Sequence, residues 1–142
     1  HQDGMDIAFC SFNPETKILQ YAGAFNPAYI MRKTDENAQK ELIILKADRM
    51  PIGLYPTDNE KFTNHELQLQ NGDIIYLFSD GYMSQFGGEK GGKLHSHRFQ
   101  ELIHELQEHS IQKQGLMLKK FFRDWKGGEE QVDDVLVIGI EI

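Results

Sequence analysis

The side chains with the clearest chemical potential in this 142-residue sequence are aspartates at the ends of apolar segments. Asp80 follows the apolar run 74–78 almost directly, and Asp133 and Asp134 directly precede the apolar run 135–140. If the two runs form neighbouring antiparallel strands, the end of one lies beside the start of the other, so Asp80 and Asp133 would share one sheet edge. Carboxylates gathered in this way repel each other unless a divalent cation lies between them. The pattern therefore indicates a candidate cation site.

Each of these aspartates also has an ordinary structural explanation. Asp80 could cap the helix or loop that follows it. Asp133 and Asp134 could form a solvated turn before a strand. Gly81 allows a sharp turn after Asp80 in either case, because glycine has no Cβ. The local patterns alone leave both explanations open.

The overall composition excludes several classes of partner. The net charge of −7 argues against nucleic acid or an anionic membrane as the main partner. Cys10 is the single cysteine, so an internal disulfide is excluded and a reducing compartment is expected. No apolar run approaches the length of a membrane span, and no signal peptide is evident. We expect a cytoplasmic segment without membrane contact, although upstream regions of a longer protein could tether it to a membrane.

The elements that must position the aspartates follow from apolar periodicity. Strands are predicted at 5–12, 17–22, 28–31, 41–45, 62–69, 74–78 and 135–140, with helices centred on 99–106 and 118–125. Hairpins are expected for 5–12 with 17–22, for 28–31 with 41–45 and for 62–69 with 74–78, and 85–96 is expected to be a flexible loop. The order predicts an α+β domain, with a mostly antiparallel sheet that carries two adjacent helices on one face. A second sheet or a further piece of chain must cover the other face.

Five motifs occur in an order that matches a known family. They are residues 4–10 (GMDIAFC), 13–27 (NPETKILQYAGAFNP), 50–53 (MPIG), 72–82 with FSDGY at its end, and 131–137 (QVDDVLV). Together they span nearly the whole chain and resemble the C-terminal part of the SpoIIE-type (PP2C-like) metal-dependent serine/threonine protein phosphatases. The amino-acid sequence around 78–88 is similar to that of output domains in large bacterial signalling proteins.

This resemblance implies a PP2C-like antiparallel β-sandwich and a two-metal hydrolase. Two Mn²⁺ or Mg²⁺ ions held by aspartates would activate a bridging water, which attacks the phosphorus of phosphoserine or phosphothreonine in line. The matching positions imply that Asp80 and Asp133 are metal ligands. Asp134 and Gly81 are implied to support those ligands without binding metal themselves. No side chain of this chain is implied to act as a catalytic acid or base.

The sequence departs from the family pattern at three places. The Gly-Asp and Asp-Gly-His-Gly segments that carry the other metal ligands are absent, so we expect residues 1–142 to be the C-terminal part of a single phosphatase domain, inactive alone. Ser84 stands where many members have an aspartate for a third metal ion, and Met83 replaces a common proline. Phe25 replaces the histidine of an Ala-Gly-His turn, which removes any polar role there.

Three hypotheses follow for the function of the longer protein. The first is a bacterial signalling phosphatase that acts on a phosphoprotein under the control of an upstream sensor region. The second is a degenerate, non-catalytic domain of the same fold that serves as a regulatory or binding module. The third is a plain interaction domain whose acidic strand ends are solvated turns. If half of the sandwich is absent, exposed apolar sheet surface should make the 142-residue chain self-associate, and a monodisperse monomer in sedimentation would contradict this.

Overall fold

The computed structural model describes residues 4–34, 39–53 and 60–142. Its internal contacts divide the chain into two compact units, one formed by the residues up to Leu77 together with Ile142, and the other by Phe78–Glu141. The middle of the predicted loop 32–40 and part of the predicted loop 46–59 lie outside the described residues.

The first unit consists of short antiparallel strands. They are β1 (Gly4–Met5), β2 (Ile7–Phe12), β3 (Ile18–Ala24), β4 (Ala28–Lys33), β5 (Lys40–Leu45), β6 (Ile52–Gly53), β7 (His65–Gln68) and β8 (Ile74–Phe78, whose last residue belongs to the second unit). One sheet has the order β2-β3-β7, a second sheet contains β8-β4-β5 in that order, and β1 pairs with β6.

The core of the first unit contains buried side chains from both sheets. Leu19 and Tyr21 on β3 belong to the same apolar cluster as Ala28 and Ile30 on β4 and Ile75 on β8. Alternation along β3 explains this arrangement, because every second side chain points to the same face. The two-sheet packing confirms the predicted β-sandwich in this part of the chain.

Two of the predicted hairpins are confirmed, and one is wrong. β2 pairs with β3 along its whole length, and β4 pairs with β5. The predicted pairing of 62–69 with 74–78 does not occur, because β7 pairs with β3 and β8 pairs with β4. The turn at Gly72, which has a φ of +88°, therefore connects the two sheets and does not close a hairpin. Weak alternation in 62–69 identified a strand but could not identify its partner.

The second unit is mainly helical. Its elements are α1 (Gly81–Ser84), β9 (Phe86–Gly87), β10 (Gly92–Lys93), α2 (His95–Glu105), a 3₁₀ turn (Leu106–Glu108), α3 (Ile111–Lys126) and β11 (Val137–Glu141). Both predicted helices are confirmed. The loop predicted at 85–96 is wrong, because β9 and β10 form an antiparallel hairpin there and α2 already begins at His95. Within the described residues, the helices are all too short or too polar to cross a membrane.

An aromatic cluster holds the second unit together. The ring of Tyr82 in α1 lies 5.0 Å from that of Phe99 in α2 and 5.1 Å from that of Phe122 in α3. The buried Tyr82 hydroxyl donates a hydrogen bond to the Leu118 carbonyl at 2.7 Å, and burial raises the pKa of Tyr82, so the hydroxyl keeps the proton that it donates. These contacts fix α1, and with it the turn that carries Asp80.

The last strand differs from its prediction in burial. The apolar run 135–140 predicted a strand buried on both faces, but β11 begins only at Val137, and Leu136, Ile138 and Ile140 are 56%, 41% and 44% exposed. Apolar composition shows that a strand can be buried, whereas actual burial requires an element that packs against each face. Within the described residues, no such element covers these three side chains.

Candidate metal centre

Asp80 lies between the end of β8 and the start of α1. Its backbone carbonyl accepts a hydrogen bond from the Ser84 amide at 3.0 Å, so Asp80 occupies the N-cap position of the short helix. Its carboxylate, however, makes no capping hydrogen bond and is exposed to solvent. Across the described part of the chain, no hydrogen bond or ion pair to this carboxylate is found. The capping explanation for Asp80 therefore has no support in the structure.

Asp133 and Asp134 lie in the irregular segment that connects α3 with β11. The Asp133 carboxylate accepts a hydrogen bond from the Asp134 amide at 2.7 Å, and the Asp133 carbonyl accepts one from the Gln131 side chain at 2.9 Å. Both aspartates are exposed. The segment is thus a local turn, but the second carboxylate oxygen of Asp133 remains available to a ligand.

Ser79 joins the two aspartate segments, and sequence reasoning did not assign it this role. Its hydroxyl donates to the Asp134 carbonyl at 2.7 Å and accepts a hydrogen bond from the Leu136 amide at 3.0 Å. Its backbone amide donates to the Leu136 carbonyl at 3.0 Å. Three hydrogen bonds therefore tie the residue before Asp80 to the segment that immediately follows Asp133. A serine directly before an Asp-Gly turn was the available sequence signal.

Gly81 makes the approach of these segments sterically possible. A Cβ atom built on Gly81 would lie 2.2 Å from the Asp134 carbonyl oxygen, which is closer than real Cβ contacts allow. The residues on both sides of Asp80, Ser79 and Gly81, thus contact the Asp134 backbone. The structure brings the Asp80 turn and the Asp133-Asp134 turn together, as the strand-end argument predicts.

The chemistry of the donors suits a hard divalent cation, but their number is small. Asp80 and Asp133 supply exposed carboxylate oxygens, which are the ligands that Mg²⁺ and Mn²⁺ prefer. In residues 4–34, 39–53 and 60–142, no group of three or more His, Cys, Asp or Glu side chains is arranged to hold a metal ion. The residues present therefore fit one part of a metal site.

Ser84 and Phe25, two of the positions that depart from the family pattern, lie in different units. Ser84 is half-buried in α1, one helical turn after Asp80. Phe25 lies in the first unit, where its amide donates to the Asp48 carbonyl at 3.0 Å and its side chain is 47% exposed. Its φ of +57° is uncommon for a residue other than glycine.

An open cleft of about 350 Å³ lies along α3 in the second unit. Tyr82, Leu118, Phe122 and Val135 give it a mainly apolar lining. Neither Asp80 nor Asp133 belongs to that lining, although Gln131, whose side chain donates to the Asp133 carbonyl, does.

Comparison with known proteins places the chain in a family. The family model "Stage II sporulation protein E (SpoIIE)" matches residues 2–142. The comparison with curated proteins found no match.

Solved structures with the same fold include the SiaA-PP2C domain of Pseudomonas aeruginosa, with a TM-score of 0.77 and 25% sequence identity over 89% of this chain and 47% of that chain. The phosphatase domain of the cell fate determinant SpoIIE from Bacillus subtilis, presoaked with Mn, matches with a TM-score of 0.63 and 14% identity over 96% of this chain and 56% of that one. A SpoIIE structure that also contains a fragment of the regulatory domain matches with a TM-score of 0.68 and 16% identity, covering 96% of this chain and 37% of that one.

The chain thus spans about half of the length of the two phosphatase domains. It spans a smaller share, 37%, of the SpoIIE structure that also contains part of the regulatory domain. The fold is that of PP2C phosphatase domains, as the resemblance implied. With a family model that matches 141 of the 142 residues, from 2 to 142, the chain belongs to the SpoIIE family.

Proposed function

We propose that this chain supplies Asp80 and Asp133 as metal ligands of a protein serine/threonine phosphatase, and that the remaining ligands come from residues outside it. The single observation that carries the proposal is the set of three hydrogen bonds by which Ser79 ties the Asp80 turn to the segment after Asp133. The family match and the shortage of a third ligand in the described residues support the same division of the site.

Each residue of the site has a role that follows from its position. Asp80 and Asp133 each present a solvent-exposed carboxylate oxygen. Ser79 and Gly81 hold the turn of Asp80 against the Asp134 backbone, so main-chain contacts keep together the two turns that carry the carboxylates. Asp134 contributes its carbonyl to this contact and its amide to the Asp133 carboxylate. When two Mn²⁺ or Mg²⁺ ions are bound, they supply a water of lowered pKa for in-line attack on a phosphorus atom.

The substrate and setting are part of the same proposal. A phosphoserine or phosphothreonine side chain of a partner protein is the expected substrate, in a bacterial signalling pathway in the cytoplasm and under the control of an upstream region. The net charge of −7 is consistent with a protein substrate presented by complementary basic groups and not with nucleic acid.

The test is phosphatase activity of the full-length protein on a phosphoserine peptide with Mn²⁺. Asp80→Asn should lower kcat/KM by at least about 100-fold, because even groups that only support metal ligands cost 10–100-fold when removed. Asp124→Asn is the matched control, since Asp124 is also an exposed carboxylate, lies in α3, and pairs with Lys120 among the residues that the structure describes. Activity of Asp80→Asn equal to that of the control would contradict the proposal.

A degenerate, non-catalytic domain is the second candidate, and Ser84 at a position where many family members have aspartate favours it. This candidate predicts that the full-length protein binds Mn²⁺ weakly or not at all and that phosphopeptide turnover is undetectable. Aspartates at the upstream family positions of the full-length protein would favour the enzyme.

A further inference from the structure

Gln85 is a fully buried polar side chain five residues after Asp80, with an exposure of 0%. Its side-chain nitrogen donates to two carbonyl oxygens, those of Phe86 at 3.0 Å and Glu130 at 2.8 Å. An amide nitrogen has two hydrogens, so both are used. The reversed amide would place its oxygen against two carbonyl oxygens, and the bonding pattern therefore fixes the orientation of the side chain.

The backbone carbonyl of Gln85 adds two further connections. It accepts hydrogen bonds from the indole nitrogen of Trp125 at 3.0 Å and from the Leu94 amide at 3.1 Å. Gln85 thus bonds to the end of α3, to the segment after the β9–β10 hairpin, and to Glu130, which lies three residues before Asp133. A single residue links the Asp80 side of the site to the segment that carries Asp133.

The segment that carries Asp133 depends on few anchors. Residues 129–136 are almost all exposed and contain no helix or strand, so their own packing does not fix their position. Ser79 holds the far end of the segment through Asp134 and Leu136, and Gln85 holds the near end through Glu130. Asp133 lies between the two anchors, and both anchors belong to the short stretch 79–85 that also carries Asp80.

The oxygen of the Gln85 side-chain amide lowers the stability of the fold. This Oε1 atom is buried and has no hydrogen-bond partner within the described residues. Burying an acceptor without a partner destabilises the fold, and an apolar side chain of similar length would avoid this penalty. The amide is therefore better explained by the bond that it donates to Glu130 than by packing.

We propose that Gln85 is a positioning residue, which together with Ser79 fixes the separation between the Asp80 and Asp133 carboxylates by anchoring the segment 130–136 against the Asp80 turn. This inference rests on the proposed function, because it assumes that the two carboxylates bind metal ions. It extends that function by proposing that Gln85, which is not itself a proposed metal ligand, helps to set the relative position of the two ligands.

The test is the Mn²⁺ affinity of the full-length protein, measured by titration calorimetry, in the Gln85→Met variant. Methionine keeps the length of the side chain but removes the donor to Glu130, so we expect the dissociation constant to rise by about 10- to 100-fold, the range for residues that support metal ligands. Gln114→Met is the matched control. Gln114 is also a buried glutamine of the second unit, with an exposure of 1%, but its amide donates to the carbonyl of His109, which precedes α3 and lies outside the segment 129–136.

Thermal denaturation of both variants separates positioning from stability. We expect both to unfold at lower temperature than the wild type, because each loses donated hydrogen bonds and leaves partly buried carbonyls without that donor, which in Gln85→Met outweighs the relief of the unpaired Oε1. Only Gln85→Met should lose Mn²⁺ affinity. If Gln85→Met does not fold, Gln85→Asn replaces it, because it withdraws the amide by one methylene and should weaken Mn²⁺ binding in the same direction. Wild-type affinity in the folded Gln85 variant, or an equal loss in Gln114→Met, would overturn the inference.

Asp80→Asn in the same titration distinguishes this inference from the proposed function. If the wild type binds no Mn²⁺, or if Asp80→Asn binds it like the wild type, the proposed function fails and the role of Gln85 fails with it. If Asp80→Asn abolishes binding and the Gln85 variant binds normally, the positioning role alone is wrong.

Discussion

At the scale of single residues, the site depends on backbone contacts on either side of Asp80. Ser79 makes three hydrogen bonds to the segment after Asp133, and Gly81 leaves the space that this approach requires. Sequence patterns could predict that the turns carrying Asp80 and Asp133 meet, because strand ends are visible as the limits of apolar runs. The hydroxyl of Ser79 could not be assigned in the same way, since its two partners are backbone atoms more than 50 residues away.

Gly81→Ala should destabilise the protein, because its Cβ would lie 2.2 Å from the Asp134 carbonyl oxygen, a backbone atom that the Ser79 hydroxyl holds in place. We expect the free energy of unfolding to fall by about 1–3 kcal/mol. Gly115→Ala is the control of opposite sign, since a Cβ at this position in α3 meets open space and alanine favours the helix by about 0.5–1 kcal/mol. Urea denaturation, followed by Trp125 fluorescence, measures the free energy of unfolding of both variants. If Gly115→Ala destabilises the protein as much as Gly81→Ala does, the steric argument is contradicted.

At the scale of elements, the stretch from Gln85 to Gly92 shows where periodicity failed. Its glycines predicted a flexible loop, but Trp125 packs against Gly87 and Gly88 so closely that a side chain at either position would collide with it. The Gly88 amide donates to the Trp125 carbonyl at 2.8 Å, and a Cβ on Gly87 would lie 1.9 Å from that oxygen. When a distant element packs closely against a glycine, the glycine itself is the only local signal in the sequence. Because 85–96 was predicted to be a flexible loop, the role of Gln85 as an anchor was also missed.

Gly87→Ala and Gly92→Ala form a matched pair, because the two glycines are direct partners in the β9–β10 hairpin. The first should lower the free energy of unfolding by about 1–3 kcal/mol and shift the emission of Trp125, with which its Cβ collides. The second meets nothing within 4 Å and should change the free energy of unfolding by no more than about 0.5 kcal/mol. A larger effect at Gly92 than at Gly87 would show that packing against Trp125 does not explain the glycine pair.

At the scale of the whole molecule, the sequence predicted the class of fold better than the burial of its parts. The order of strands and helices and the ordered motifs were sufficient to predict an α+β domain of PP2C type, and the structural matches confirm it. Burial of the last strand could not be predicted, because it depends on what packs against residues 136–140 and not on their composition. The exposed Leu136, Ile138 and Ile140 are consistent with the self-association expected from the sequence, which stays a prediction.

The most direct test of the proposed metal site is the Mn²⁺ affinity of four forms of the full-length protein: wild type, Asp80→Asn, Asp133→Asn and the double variant. If both carboxylates serve one centre, each single change should weaken binding by at least about 10-fold, the lower limit for groups that merely support ligands. The double variant should then bind little more weakly than either single variant, because the first change already dismantles the centre. Wild-type affinity in either single variant, or two losses that simply add, would show that Asp80 and Asp133 do not hold metal together.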